Sequence, residues 1–125
     1  MKDKKIMVVD DNEEVISIVK TALEREGYRV VGVTDGMECL ERVEKEKPDL
    51  ILMDVMMPRL DGWEVCKRIK ESELLLSIPV SMLTVCKTPE DVKKSFEYAG
   101  ADAHLTKPLS VEELRKVVRE LLGED

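Results

Sequence analysis

Asp10 and Asp11 follow an apolar run at residues 6–9, and Asp54 follows another at 50–53. Thr84 follows a third run at 78–83, and Lys107 with Pro108 follows a weaker one at 101–106. If they meet, three carboxylates, a hydroxyl and an ammonium form a complementary set. Carboxylates held close together repel, which raises their proton affinities unless a cation intervenes. Ligation by oxygen alone suits Mg2+ or Mn2+, and Mg2+ takes few carboxylates while keeping several waters. A cation beside Asp54 would neutralise a phosphoryl group approaching that carboxylate. Lys107 would supply a point charge on the other side, and Thr84 would donate a hydrogen bond to a phosphoryl oxygen. Positioning and charge stabilisation are most of what phosphoryl transfer asks of a protein, and a carboxylate can serve as its nucleophile. Singly, each residue has an ordinary explanation: Asp11 as a helix cap, Asp54 as a turn acid, Thr84 as a strand end, Lys107-Pro108 as a solvated loop. The joint pattern points to a shared site, because the members follow separate apolar runs.

The elements that must position these residues alternate along the chain without a linker or a change of composition. From Asn12 the period becomes helical, with Val15, Ile18, Val19, Ala22 and Leu23 on one stripe and Gly27 as the stop. A strand is expected at 28–33. Asp35 and Glu38 then have the spacing of a capping box ahead of Met37, Leu40 and Val43. Asp61 opens a third helix that carries Trp63, Cys66 and Ile69. Thr88 caps a fourth with Pro89 at its first position, and Gly100 ends it. Ser110 and Glu113 cap a last helix with Leu114, Val117, Val118, Leu121 and Leu122. Five strands alternating with five helices predict right-handed crossovers and a parallel sheet covered on both faces, all in one domain over 1–125. Near-continuous apolar strands agree with burial on both sides. Open sheets of this kind bind ligands beyond the carboxyl ends of their strands, which is where the candidate residues fall.

Bulk composition narrows the function further. With 27 acidic and 20 basic residues the formal net charge is −7, which disfavours direct nucleic-acid binding, since phosphate backbones need clustered cations. Aromatics at 3% leave few stacking platforms for single strands. The first apolar run is too short for a signal peptide or membrane span, so no membrane contact and a cytoplasmic location are expected. Cys39, Cys66 and Cys86 lack any zinc-like spacing and are expected to be small buried hydrophobes in a reducing compartment.

Asp10-Asp11, the stretch from Asp54 through Pro58 to Asp61-Gly62, the strand end at Thr84, and Lys107-Pro108 resemble, in order and spacing, the receiver domains of response regulators in two-component signalling. The resemblance covers essentially the whole chain. It implies a doubly wound, flavodoxin-like α/β fold with strand order 2-1-3-4-5, and Asp54 as acceptor of a phosphoryl group from a sensor histidine kinase or histidine phosphotransfer protein. It implies Mg2+ (or Mn2+) on Asp11, Asp54 and the main-chain carbonyl of Met56, with Asp10 acting through water. It also implies Lys107 on the phosphoryl group, a cis peptide before Pro108, and no enzymatic turnover beyond self-phosphorylation and self-dephosphorylation. An output protein or a second copy would dock on residues 89–122.

Two positions depart from the family's habit. The switch that moves Thr84 is usually accompanied by an aromatic residue three before the lysine. Here that place holds His104, the only histidine, whose imidazole would make the output surface sensitive to pH. Val85 replaces a small residue after the switch threonine. With Met56 and Cys86 it would crowd the pocket and slow hydrolysis of the phosphorylated state. Two alternatives compete: a pseudo-receiver that acts as a scaffold without phosphorylation, and a phosphatase that forms an aspartyl phosphate. The phosphatase reading lacks a second acid two residues beyond a first-strand nucleophile.

Overall fold

Along β1 (Lys5–Val9) every residue from Ile6 to Val9 is buried, yet successive side chains enter different cores. Met7 and Val9 join one cluster and Ile6 and Val8 the other, as period-two alternation in a sheet covered on both faces requires. The computed structural model describes residues 3–124. The elements that follow are α1 (Glu13–Glu24), β2 (Arg29–Val33), α2 (Gly36–Glu46), β3 (Leu50–Met53), α3 (Gly62–Lys70) and β4 (Val80–Thr84). Then come α4 (Pro89–Lys93), a π-helical turn that continues it (Lys94–Tyr98), β5 (Ala103–Thr106) and α5 (Val111–Leu121).

The five strands are parallel and ordered β2-β1-β3-β4-β5. Cys39 and Val43 of α2 and Val65, Cys66 and Ile69 of α3 pack on one face with Ile51, Met53 and Met82. Val19 and Leu23 of α1 and Leu114 and Val118 of α5 cover the other with Leu50, Leu52 and Leu83. This is the expected α/β architecture, and strand order reverses between β1 and β3.

Several local expectations change. The strands begin later than the apolar runs, at Arg29, Val80 and Ala103, because Tyr28, Ile78 and Ala101 pack against the cores from the approaching loops. Ile18 and Met37 are exposed. On α2 the inward stripe is Gly36, Cys39 and Val43, which turns Met37 outward. Only one arm of the α2 capping box forms. The Asp35 side chain accepts from Glu38 N at 2.7 Å, but the Glu38 carboxylate reaches Thr34 N at 3.2 Å instead of the cap amide. At α4 the reciprocal box between Thr88 and Asp91 is complete.

Candidate functional site

Three strands, β1, β3 and β5, extend their ladders to the residue just beyond them. Asp10 N donates to Val33 O at 3.0 Å, Asp54 N to Val9 O at 2.9 Å, and Lys107 N to Thr84 O at 2.8 Å. These bonds fix the backbone of three candidate residues as firmly as the strands themselves, on one edge of the sheet. Carboxylate oxygens of Asp10, Asp11 and Asp54 lie within 4.8 Å of one another. Lys107 Nζ sits 2.8 Å from Asp10 Oδ2 and 3.6 Å from Asp54 Oδ2. The Lys107–Pro108 peptide is cis.

The three acids differ in setting. Asp10 is 2% exposed and also accepts from Asn12 N at 2.9 Å. Asp54 is 6% exposed, with Met56 N 3.4 Å from its Oδ1. Asp11 is exposed. It is also not the helix cap, because the α1 cap is Asn12, whose side chain accepts from Glu14 N at 2.9 Å. The ordinary explanation for Asp11 therefore falls away. Asp54 carries the electrostatic strain. Burial pushes its carboxyl above the usual carboxylate range and Asp10 adds to the rise, while Lys107, the Met56 amide and the Thr84 hydroxyl pull it back.

Three carboxylates against one ammonium leave this edge with an excess of two negative charges. The donor set is all oxygen and partly solvated through Asp11, which fits a small divalent cation that keeps water ligands. Asp10, Asp11 and Asp54 could hold it.

Gly62 builds the pocket in a way that residue type alone does not reveal. A Cβ at Gly62 would fall on the Asp54 carbonyl and crowd Met53. The bare backbone lets Gly62 N donate to Val55 O at 2.9 Å, folding the 55–61 loop against the end of β3. Arg59 in that loop has φ 69° and pairs with Asp35 at 3.1 Å. Met56 and Val85 are exposed at the rim, and Cys86 is half-buried. Beside Lys107 is an apolar hollow of about 190 Å³ between Val15, Ile18, Leu83, Pro108 and Leu109.

His104 lies on the edge strand β5 and is half-buried, with both ring nitrogens engaged. Nδ1 is 2.8 Å from Ser95 Oγ and Nε2 is 2.8 Å from the Cys86 carbonyl. Sequence reasoning missed these partners, because Ser95 comes into reach only through the π turn.

A strand order of 2-1-3-4-5 with an acid cluster at the carboxyl edge defines a class of α/β domain, and comparison with known proteins names it. The response regulator receiver domain matches residues 6–119, and the chain belongs to that family. The alkaline phosphatase synthesis transcriptional regulatory protein PhoP of Bacillus subtilis is 44% identical over 120 residues, covering 96% of this chain and 49% of that protein. The chain thus spans about half the length of PhoP, as it does of the similar regulator RpaA of Synechocystis. Among solved structures, the chemotaxis protein CheY4 of Vibrio cholerae superposes with a TM-score of 0.88 at 32% identity, covering 96% of this chain and 99% of that one. The receiver domain of sensor histidine kinase PA1611 from Pseudomonas aeruginosa, with a magnesium ion coordinated in its active site cleft, gives 0.88 at 29% identity, covering 98% and 100%. Among the described residues no helix is long and apolar enough to cross a membrane.

Proposed function

We propose that this receiver domain accepts a phosphoryl group on Asp54 from a phosphohistidine of a partner protein, with Mg2+ on Asp10, Asp11 and Asp54. One observation carries the reading: a buried carboxylate is clustered with two further acids and lies 3.6 Å from an ammonium. An Asp54 carboxylate oxygen forms the new bond to phosphorus as the phosphorus–nitrogen bond to the donor imidazole breaks. The electron pair leaves with the imidazole, which takes up a proton from solvent or its own protein. Mg2+ supplies neutralising charge for the carboxylates and the incoming oxygens. Lys107, bound to Asp10 at 2.8 Å, is within a short swing of the same oxygens, and Thr84 donates its hydroxyl proton from the end of β4.

The receiver domain of PA1611 supports the metal, since its fold matches and it holds a magnesium ion in its active site cleft. The donor is a sensor histidine kinase or a histidine phosphotransfer protein. The hollow at Ile18, Pro108 and Leu109 offers such a protein apolar footing beside the acceptor. The response is a change of partner, either an output protein or a second copy, through residues 89–122. No catalytic turnover of an external substrate is assigned.

The test is labelling with acetyl phosphate, with and without Mg2+, of the wild type and Asp54→Ala. The expected result is one acid-stable, base-labile phosphoryl group per chain, dependent on Mg2+ and absent from Asp54→Ala. Equal labelling of the variant would move the acceptor elsewhere. No labelling of the wild type would favour a scaffold without phosphorylation, and many turnovers of a small phosphate ester per chain would favour a phosphatase.

A further inference from the structure

Between the site and the α3 surface runs a series of hydrogen bonds, joined at one point by the backbone of Cys86, whose donors all point the same way. Trp63 Nε1 donates to Ser95 Oγ at 2.9 Å. Ser95 Oγ is 2.8 Å from His104 Nδ1, and His104 Nε2 is 2.8 Å from the Cys86 carbonyl. The Cys86 amide in turn donates to Thr84 Oγ1 at 3.2 Å. Chemistry fixes the protons. An indole N–H only donates and a carbonyl only accepts, so Nε2 carries the imidazole hydrogen. With the imidazole neutral, Nδ1 accepts the hydroxyl hydrogen of Ser95. Ser95 and Thr84 are both fully buried, so water does not substitute for a lost partner, and an unmade bond in such a setting is costly.

The π turn is what inserts Ser95 into this series. Ala99 N bonds Lys94 O at 3.0 Å, five residues back, and Ala101 N bonds Ser95 O at 2.9 Å. The wider turn carries the Ser95 side chain in between α3 and β5. Single π turns inside α-helices recur at functional positions. Outside the series, Lys94 Nζ stacks over the Trp63 ring at 4.5 Å and lies 5.3 Å from the Tyr98 ring, so the far end emerges on the surface.

We propose that Ser95 and His104 are positioning residues that hold the Cys86 backbone, and through it the Thr84 hydroxyl, and that displacement of Thr84 is passed along this series to Trp63 while the His104 ring stays in place. A ring anchored at both nitrogens must break two hydrogen bonds to swing, whereas a small shift of the Cys86 backbone, whose carbonyl faces His104 and whose amide faces Thr84, moves both neighbours. The direction of transfer in the phosphorylated protein rests on Asp54 being the acceptor. The linkage between Thr84 and Trp63 does not.

Trp63 is the only tryptophan, so its indole N–H gives one resonance in a proton–nitrogen correlation spectrum. The change in that resonance is measured for two perturbations: Thr84→Val, which removes the oxygen that accepts from Cys86, and addition of Mg2+ with beryllofluoride, a phosphoryl analogue whose binding is read separately by fluorine resonance. Both perturbations are repeated in Ser95→Ala, His104→Phe and His104→Gln. Glutamine has an amide that can donate to the Cys86 carbonyl and an oxygen that can accept from Ser95. The expected result is a shift in the wild-type background, its loss in Ser95→Ala and in His104→Phe, and its recovery in His104→Gln. A shift of wild-type size in either Ser95→Ala or His104→Phe overturns the proposal, as does no shift for Thr84→Val in the wild-type background. If one of the two disrupting variants fails to fold, the other decides alone. Absence of a bound fluorine signal in the wild type would refute the phosphoacceptor reading, leaving the Thr84→Val comparison to judge the relay.

Discussion

Replacing Asp54 by Asn should stabilise the cation-free protein, although it removes the group that function requires. At an effective dielectric of about 20, Lys107 at 3.6 Å favours the Asp54 charge by roughly 4.6 kcal/mol. On the same scale Asp10, within 4.8 Å, opposes it by at least roughly 3.5 kcal/mol. Asp11, exposed but within the same 4.8 Å, adds to the opposition, so the neighbouring charges bring no net relief and the decision falls to burial. With 6% of Asp54 exposed, the cost of holding a charge there is several kcal/mol, in the range of about 2–5 after relaxation. An amide keeps the shape and the Met56 contact without that cost. Asp54→Asn should therefore gain about 1–3 kcal/mol, at roughly 3–6 °C of Tm per kcal/mol for a chain of this length.

The pH dependence has a definite sign. Because the folded carboxyl is held above the unfolded value of 3.8, the folded state binds this proton more tightly. The penalty is in full force above the folded value, is relieved as pH falls through it, and is gone below the unfolded value. The variant's advantage should be largest at pH 7–8 and should shrink towards pH 4. Mg2+ relieves the same strain, so it should stabilise the wild type, by about 2.7 kcal/mol at a hundred times its Kd, and raise its Tm accordingly, while raising that of Asp54→Asn much less. Calorimetric melts at several pH values with EDTA or Mg2+ measure all of this. A variant that melts at or below the wild type in EDTA at pH 7.5 would refute the electrostatic reasoning.

Lys107→Ala should cost about 3 kcal/mol or more in EDTA, because it leaves Asp10, 2% exposed, without its ammonium partner; Mg2+ should restore part of the loss, as read by urea melts. Gly62→Ala must push the Asp54 backbone aside, so it should destabilise by about 2 kcal/mol or more and sharply reduce acetyl phosphate labelling. Val85 and Met56 stand at the rim of the pocket, and the phosphorylated wild type should persist; Val85→Ala should shorten its lifetime a few-fold, followed by loss of radiolabel in Mg2+. Burial pushes the Cys39 and Cys66 thiols up to about 12, so at pH 8 only Cys86 should react quickly with a disulfide reagent, and all three should react in denaturant.

The alternation of apolar runs and helical stripes carried the sheet, because buried parallel strands leave a signal that needs no partner to be seen. It also placed Asp10, Asp54, Thr84 and Lys107 on one edge, since a residue that follows a strand has little freedom to be elsewhere. The rest depended on neighbours distant in sequence. Asp11 and Asn12 are equally good caps by residue type, and the approach of the first turn decides for Asn12. Ile18 and Met37 fit helical stripes but fall at their margins. Asp61-Gly62 announces a helix start, yet the demand for glycine comes from the Asp54 carbonyl, eight residues back. Nothing local marks the π turn or foretells that Ser95 will meet His104 and Trp63.

The site is built from a deliberate imbalance. Sequence places three acids and one lysine at strand ends, and ladder bonds hold the backbones of Asp10, Asp54 and Lys107. Two uncompensated negative charges result, with the Asp10 and Asp54 carboxylates held largely away from water. A fold without a task would be better off neutral there. In the proposed function a divalent cation would cancel the excess, and a phosphoryl group would then restore negative charge at Asp54. Each event changes what Lys107 and Thr84 are drawn towards. In the proposed relay Thr84 passes its displacement on through the Cys86 backbone, whose amide donates to Thr84 Oγ1. The stored repulsion is thus a reservoir of differential free energy, and a domain that changes state on modification must hold such a reservoir.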